Sequence, residues 1–164
     1  MNKVHNASLE RVLAKRPMSV IRACLLEILT AVMTAVTTMN GYDHYVKMAE
    51  ALGREVGSFE QFLLSRGASV LVTLLFAWLF YQGRNWARIF YIVFFCINFS
   101  MILWSVTTLG VPRALGSMNE LESLIGLAQT VISCSVCCFL LTHSARAWFN
   151  DVKEARAAQR SEEQ

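Results

Sequence analysis

Four long apolar runs, separated by short polar breaks, dominate the pattern along this chain. They cover 20–39, 59–81, 86–109 and 118–141, and each reaches the ~20 residues needed to cross a hydrocarbon core. None alternates polar with apolar as a barrel strand would. Lipid cannot satisfy free backbone groups, so the pattern predicts four transmembrane helices in an all-α bundle.

The polar breaks carry helix-end signals. Ser19, after Pro17, is placed to cap the first helix, and Ser58-Phe59-Glu60-Gln61 and Ser117-Met118-Asn119-Glu120 match capping boxes for the second and fourth. Gly110-Val111-Pro112 is predicted to end the third. Between the second and third runs stands YQGRNWAR, residues 81–88. There Gly83 is expected to close the second helix in a left-handed conformation and Asn85 to cap the third. Tyr81 and Trp86 are expected at headgroup level as aromatic anchors, with Arg84 and Arg88 holding the turn to its side of the membrane.

Three weaker amphipathic stretches flank the spans. In the 40–58 loop, Tyr45, Met48, Ala49 and Leu52 fall on one helical face. In 144–164, Ser144 is placed to cap a helix that carries Trp148, Phe149 and Val152 on one side. Those rings, with Arg146, are expected to lie along the interface. In the basic 1–18 segment, Leu9, Val12 and Leu13 suggest a similar surface helix.

Composition agrees with this layout. The chain has 164 residues, 55% hydrophobic and 16% charged, with mean hydropathy +0.42, where a soluble domain carries ~25% charged residues. The net charge of +3 is too small for a nucleic-acid partner. Its distribution says more than its sum. Lys3, Arg11, Lys15, Arg16, Arg22, Arg84, Arg88, Arg146, Lys153, Arg156 and Arg160 flank one side of the spans, and Lys47, Arg54, Arg66 and Arg113 the other. Eleven against four predicts both termini and the 81–88 turn in the cytoplasm, with 40–58 outside. The first residues lack the apolar core of a signal peptide, so an uncleaved chain is expected, forming one membrane domain over 1–164.

Chemistry is sparse. Glu27 falls about 12 Å along the first helix from Ser19, a depth at which an ionisable group is by default a functional candidate. Thr30, Thr34 and Thr37 continue its face. The carboxyl could be a protonatable site heading a polar pathway, a partner of Arg22 or Arg88, or a neutral group hydrogen-bonded between helices. Asn98 and Gln129, with Ser105 and Ser133 near them on their helices, read as interhelical hydrogen-bonding groups. If Glu27, Asn98 and Gln129 converged, a polar cavity would follow.

Cys24, Cys96, Cys134, Cys137 and Cys138 all lie in apolar runs and read as packing residues rather than disulfides or metal ligands. His143 is too far along its helix to join Cys134 in a site. His5, and Asp43, His44 and Glu50 in the outer loop, read as solvated surface. No hydrolase, zinc-protease or phosphate-loop motif is present. The expectation is a non-enzyme without cofactor or metal.

Gly83, Arg84, Trp86, Ala87 and Arg88 in the turn, then Ser144, Arg146, Trp148 and Phe149 after the fourth span, give the chain a family likeness. It resembles small bacterial four-span inner-membrane proteins of the YbjO type. The resemblance implies a multi-pass inner-membrane location and supplies no activity. The leading expectation is an integral membrane protein acting through helix–helix or partner-protein contacts, as a homo-oligomer or with another membrane protein, in the lipid bilayer. The alternative is a small oligomeric channel or transporter with Glu27, Thr30, Thr34 and Thr37 lining a polar pathway.

Overall fold

A computed structural model describes residues 9–42, 45–46, 50, 57–109 and 120–162. They are predominantly helical, with no strand among the described residues. Five long helices follow in order: α1 (Met18–Asn40), α2 (Phe59–Tyr81), α3 (Asn85–Leu109), α4 (Glu120–Leu141) and α5 (His143–Glu162). A short helical segment over 9–14 precedes them. Within α1 to α4, the stretches Met18–Met39, Phe59–Tyr81, Asn85–Trp104 and Leu124–Leu141 are each long and apolar enough to cross a membrane.

The helix α1 is central, packing extensively against α2 and α4. Its buried residues Val20, Ala23, Cys24, Glu27, Ala31 and Thr38 recur at helical spacing along one stripe. Ala23, Cys24 and Ala31 are small, which lets the neighbouring backbones approach closely. Cys24 Sγ reaches the Ala77 carbonyl of α2 at 3.4 Å. By contrast, α3 is joined to the rest mainly near its start. Ala87, Arg88 and Tyr91 are buried there, and Tyr91 lies edge-on to Phe80 and Phe76 of α2, with centroids 5.4 and 5.6 Å apart. Beyond Tyr91 the helix splays, and Phe94, Ile97, Met101 and Trp104 are 54–69% exposed.

Among the described residues, two of the local helix-end signals hold and three do not. Ser58 makes the full capping box with Gln61. Gly83 takes φ 71°, its N–H donates to Phe80 O, and Arg84 N–H donates to Leu79 O, the paired bonds of a Schellman turn. Ser19, however, does not cap α1. Pro17 occupies that position and its carbonyl accepts from Val20 and Ile21, since a proline just before the first turn presets the backbone. Ser19 Oγ instead meets Ser144 Oγ at 3.4 Å. Asn85 does not cap α3 either. It lies inside the first turn, Ala87 and Arg88 donate to the Arg84 carbonyl, and Asn85 Oδ1 is buried without a partner. Thr142, rather than Ser144, caps α5, accepting from Ala145 N at 3.4 Å. The Ser117 box, Gly110-Val111-Pro112 and most of the 40–58 loop helix lie outside the described residues.

The 9–14 segment, the 82–84 turn and α5 all gather at one end of the bundle. Trp148 and Phe149 were expected against lipid. They turn inward instead, 4% and 0% exposed, with Ala145 and Val152 completing the buried face of α5. Their partners are Leu9, Val12 and Leu13 of the leading segment and the turn itself. Trp148 Nε1 donates to Val12 O at 2.9 Å. A second protein surface was available to cover the rings, so they form a small core rather than an interfacial belt.

Candidate functional site

Glu27 sits three-quarters of a turn from Cys24 on the buried stripe of α1, and it is 3% exposed. Its Oε1 is buried without a hydrogen-bond partner. A buried carboxyl left in this state is costly, by about 1–3 kcal/mol or more for a charged form. Neither cation proposed for it arrives. Arg22 lies over the Phe139 ring, 6.0 Å from its centroid. Arg88 is itself buried, with its guanidinium carbon 5.2 Å from the Phe149 centroid. Both arginines point toward the terminal end, where aromatic faces are within reach and Glu27 is not.

What faces the carboxyl is Tyr91 of α3. Its hydroxyl interacts with both Glu27 and Ser133 of α4. Phe76 and Phe80 hold the Tyr91 ring from the side of α2, so the phenol is aimed by packing. Three helices therefore meet at Glu27, and each contributes an oxygen.

A cleft of about 300 Å³ opens beside this group. Glu27, Thr30 and Thr34 line it from α1, Thr73 from α2, Tyr91, Phe94, Phe95, Asn98 and Phe99 from α3, and Gln129, Thr130 and Ser133 from α4. The convergence of Glu27, Asn98 and Gln129 thus occurs. It exists because α3 splays after Tyr91, leaving between α3 and the α1–α4 pair a gap that side chains do not fill.

The polar residues differ in what they have left to offer. Gln129 Nε2 donates to Thr34 Oγ1 at 3.1 Å, an interhelical bond as expected. Asn98 does not bridge helices. It donates to Phe94 O of its own helix at 2.8 Å. Thr30, Thr34 and Thr37 donate to carbonyls three or four residues back, which satisfies their protons and leaves hydroxyl oxygens as acceptors. Thr37 is not among the residues lining the cleft. The wall is therefore mainly hydroxyl and amide groups and aromatic residues around one carboxyl. Such a lining suits a positively charged or proton-donating guest.

Sequence reading placed Ser133 beside Gln129 but missed Tyr91 as a member of the site. Tyr91 is one turn past Ala87 and four residues before Phe95, with nothing local to separate it from the aromatic run around it. The signal that could have found it is its place seven residues after Arg84, on the face of α3 that returns toward α1.

At the terminal end the arginines serve a different purpose. The α2 helix finishes with carbonyls that its own backbone cannot satisfy. Arg16 Nε donates to Tyr81 O at 2.9 Å while its guanidinium lies 3.7 Å from the Tyr81 ring centroid. Arg156 donates to Gln82 O and Gly83 O. Two cations at a helix C-terminus also complement its dipole. Of the expected anchors, Tyr81 and Trp86 are 51% and 58% exposed and remain available to an interface. Arg146 is exposed, Arg84 is half-buried, and Arg88 is buried over Phe149.

Comparison of the chain with protein-family models, with curated proteins and with solved structures finds no match.

Proposed function

We propose that this is a non-enzymatic, multi-pass inner-membrane protein with both termini in the cytoplasm, and that its bundle binds a small organic monocation at Glu27. The carrying observation is the buried carboxyl with an orphaned oxygen, opening on a cleft of about 300 Å³. That volume is at the lower end for small-molecule sites. Tyr91, Phe94, Phe95 and Phe99 line the same space, and an aromatic ring that turns its face to a cation attracts it by about 0.5–2 kcal/mol. A carboxylate supplies the counter-charge, and the threonine, serine and glutamine oxygens accept hydrogen bonds. This develops the transporter alternative, with the path through one bundle rather than along an oligomer axis. The excess of Lys and Arg around the terminal end and the likeness to four-span inner-membrane proteins support the location.

The test uses the purified full chain and benzyltrimethylammonium as probe. Binding by calorimetry and uptake into liposomes are expected for wild type, with Glu27→Gln weakening binding tenfold or more. Tyr91→Phe should weaken it by less. Absence of both binding and flux in wild type would remove the proposal.

A specific feature also favours the helix–helix reading. Phe90, Phe94, Ile97, Met101 and Trp104 recur at alternating steps of four and three on α3, and all are 54–69% exposed. That is the spacing of a coiled-coil seam. A second copy packed along it would make a dimer, read out by cross-linking in the membrane.

A further inference from the structure

A second cavity, of about 430 Å³, lies at the terminal end between the 82–84 turn and the outward side of α5. Arg84 and Trp86 line it from the turn and the start of α3, and Lys153, Arg156 and Arg160 from α5. Ile89, one turn into α3, forms its wall toward the apolar part of the bundle. The helical spacing explains the grouping. Lys153, Arg156 and Arg160 stand at i, i+3 and i+7 and so share one face of α5. The packing of Trp148 and Val152 on Gly83 turns that face alongside Arg84.

Four cations thus border one space, and no carboxylate lines it. Among the described residues none of the four forms an ion pair. Burial first, then the neighbouring Arg84 and Arg160 charges, push the Arg156 guanidinium below its ordinary range. Arg156 spends two donors on Gln82 O and Gly83 O, and Arg84 Nε is 3.5 Å from Gln82 Oε1. Arg156 is thus held in place by backbone carbonyls rather than neutralised. The other wall is apolar: Trp86 and Ile89 are 58% and 51% exposed at the start of an apolar helix. A cationic pocket with an apolar lip at a span's edge has the form of a phosphate site opening to a bilayer surface.

We infer that this pocket binds a phosphate-bearing anion, either the headgroup of an anionic phospholipid or a soluble phosphate. The phosphate oxygens sit among Arg84, Lys153 and Arg160, and Trp86 and Ile89 meet whatever apolar chain follows. The inference is independent of the Glu27 cleft, which lies deeper in the bundle and shares none of these residues.

The experiment compares the full chain with two double variants, each lacking two positive charges. Lys153→Gln with Arg160→Gln removes cations from the pocket and leaves the Arg156 bonds to the turn intact. Arg11→Gln with Lys15→Gln removes exposed cations from the leading segment. Retention of phosphatidylglycerol or phosphatidylcholine is counted by native mass spectrometry from an uncharged detergent, with and without inorganic phosphate. Each surface cation contributes about fivefold to anionic-lipid affinity. The K153Q/R160Q variant should therefore hold phosphatidylglycerol roughly 10- to 30-fold more weakly, with R11Q/K15Q within twofold of wild type and phosphatidylcholine not retained. That result supports the site and assigns the lipid source. Phosphate binding lost in the same variant, without lipid retention, supports the site and assigns a soluble anion. Equal retention of the two lipids, equal loss in the two variants, or no binding of either probe would overturn the inference.

Discussion

The terminal end of the bundle and the cleft around Glu27 place charged side chains beside aromatic rings in both cases, and the outcomes are opposite. At the terminal end, Arg16 and Arg156 find the open carbonyls of α2, and Arg88 finds the Phe149 face. Around these contacts Trp148, Phe149 and Val152 close a core that the 9–14 segment covers. At the cleft, Glu27 finds a phenol and keeps one oxygen unpaired. The difference lies in the backbone. A helix terminus offers acceptors to a cation for nothing more than proximity, whereas the middle of a helix has no free N–H to offer a carboxylate. Charges near helix ends therefore become structure. A charge placed mid-span stays unsatisfied unless a ligand, a proton or another side chain comes to it.

The sharpest way to break this contrast is to remove the terminal core. Trp148→Ala deletes a buried ring and the donor to Val12 O. Losses for buried aromatic truncations run about 3–5 kcal/mol. Thermal unfolding in mild detergent, with tryptic cleavage in α5 as a second readout, should show that scale of loss. A change under ~1 kcal/mol would mean that α5 does not pack on the bundle.

Gly83→Ala should follow closely. The left-handed conformation costs a non-glycine residue about 1–2 kcal/mol. A Cβ there would also stand 3.0 Å from Trp148 and from Val152, and overpacking adds about 1–3 kcal/mol. The expected sum is about 2–4 kcal/mol. An unchanged melting temperature would mean that the turn and α5 do not meet.

Much of this was legible in the sequence, and what was missed has a common cause. Hydropathy placed the four long helices, and the Ser58 box and Gly83 turn are local devices whose chemistry is complete within a few residues. The convergence of Glu27, Asn98 and Gln129 could be stated only as a condition, because it depends on how three helices rotate about one another. The same ignorance hid Tyr91 and suggested Arg88 as a partner for Glu27. Trp148 and Phe149 were read as lipid anchors because an aromatic beside a span looks the same whether lipid or protein covers it. Arg16 and Arg156 were counted only as charges. Their bonds to the end of α2 join residues 65 and 74 positions apart.

At the cleft, the same contrast predicts a smaller effect of opposite sign. Glu27→Leu replaces an incompletely paired buried carboxyl with an apolar group of similar size. The change removes the cost of burying an unpaired oxygen while Tyr91 keeps Ser133 as a partner, so the variant should melt no lower than wild type and gain about 1 kcal/mol. It should also lose monocation binding. A destabilisation above ~1 kcal/mol would mean that the carboxyl holds the bundle together through partners at both oxygens.

The smallest change in fold stability belongs to the outer half of α3, where the same truncation that ruins the terminal core should do little. Ile97 is 58% exposed and stands mid-way along the Phe90–Trp104 seam. In a monomer, Ile97→Ala removes contacts with lipid alone, and surface substitutions of this kind shift stability by less than ~0.5 kcal/mol. Its value is in what it separates. If copies pair along the seam, Ile97→Cys in a chain whose five native cysteines are replaced should cross-link in the membrane. Leu75→Cys, on an exposed part of α2 away from the seam, should not. Ile97→Ala should then weaken the dimer while leaving monocation binding at Glu27 unchanged. Cross-linking at both positions would reduce the seam to random collision. Cross-linking at neither would leave α3 facing lipid, with its splay serving only to hold the cleft open.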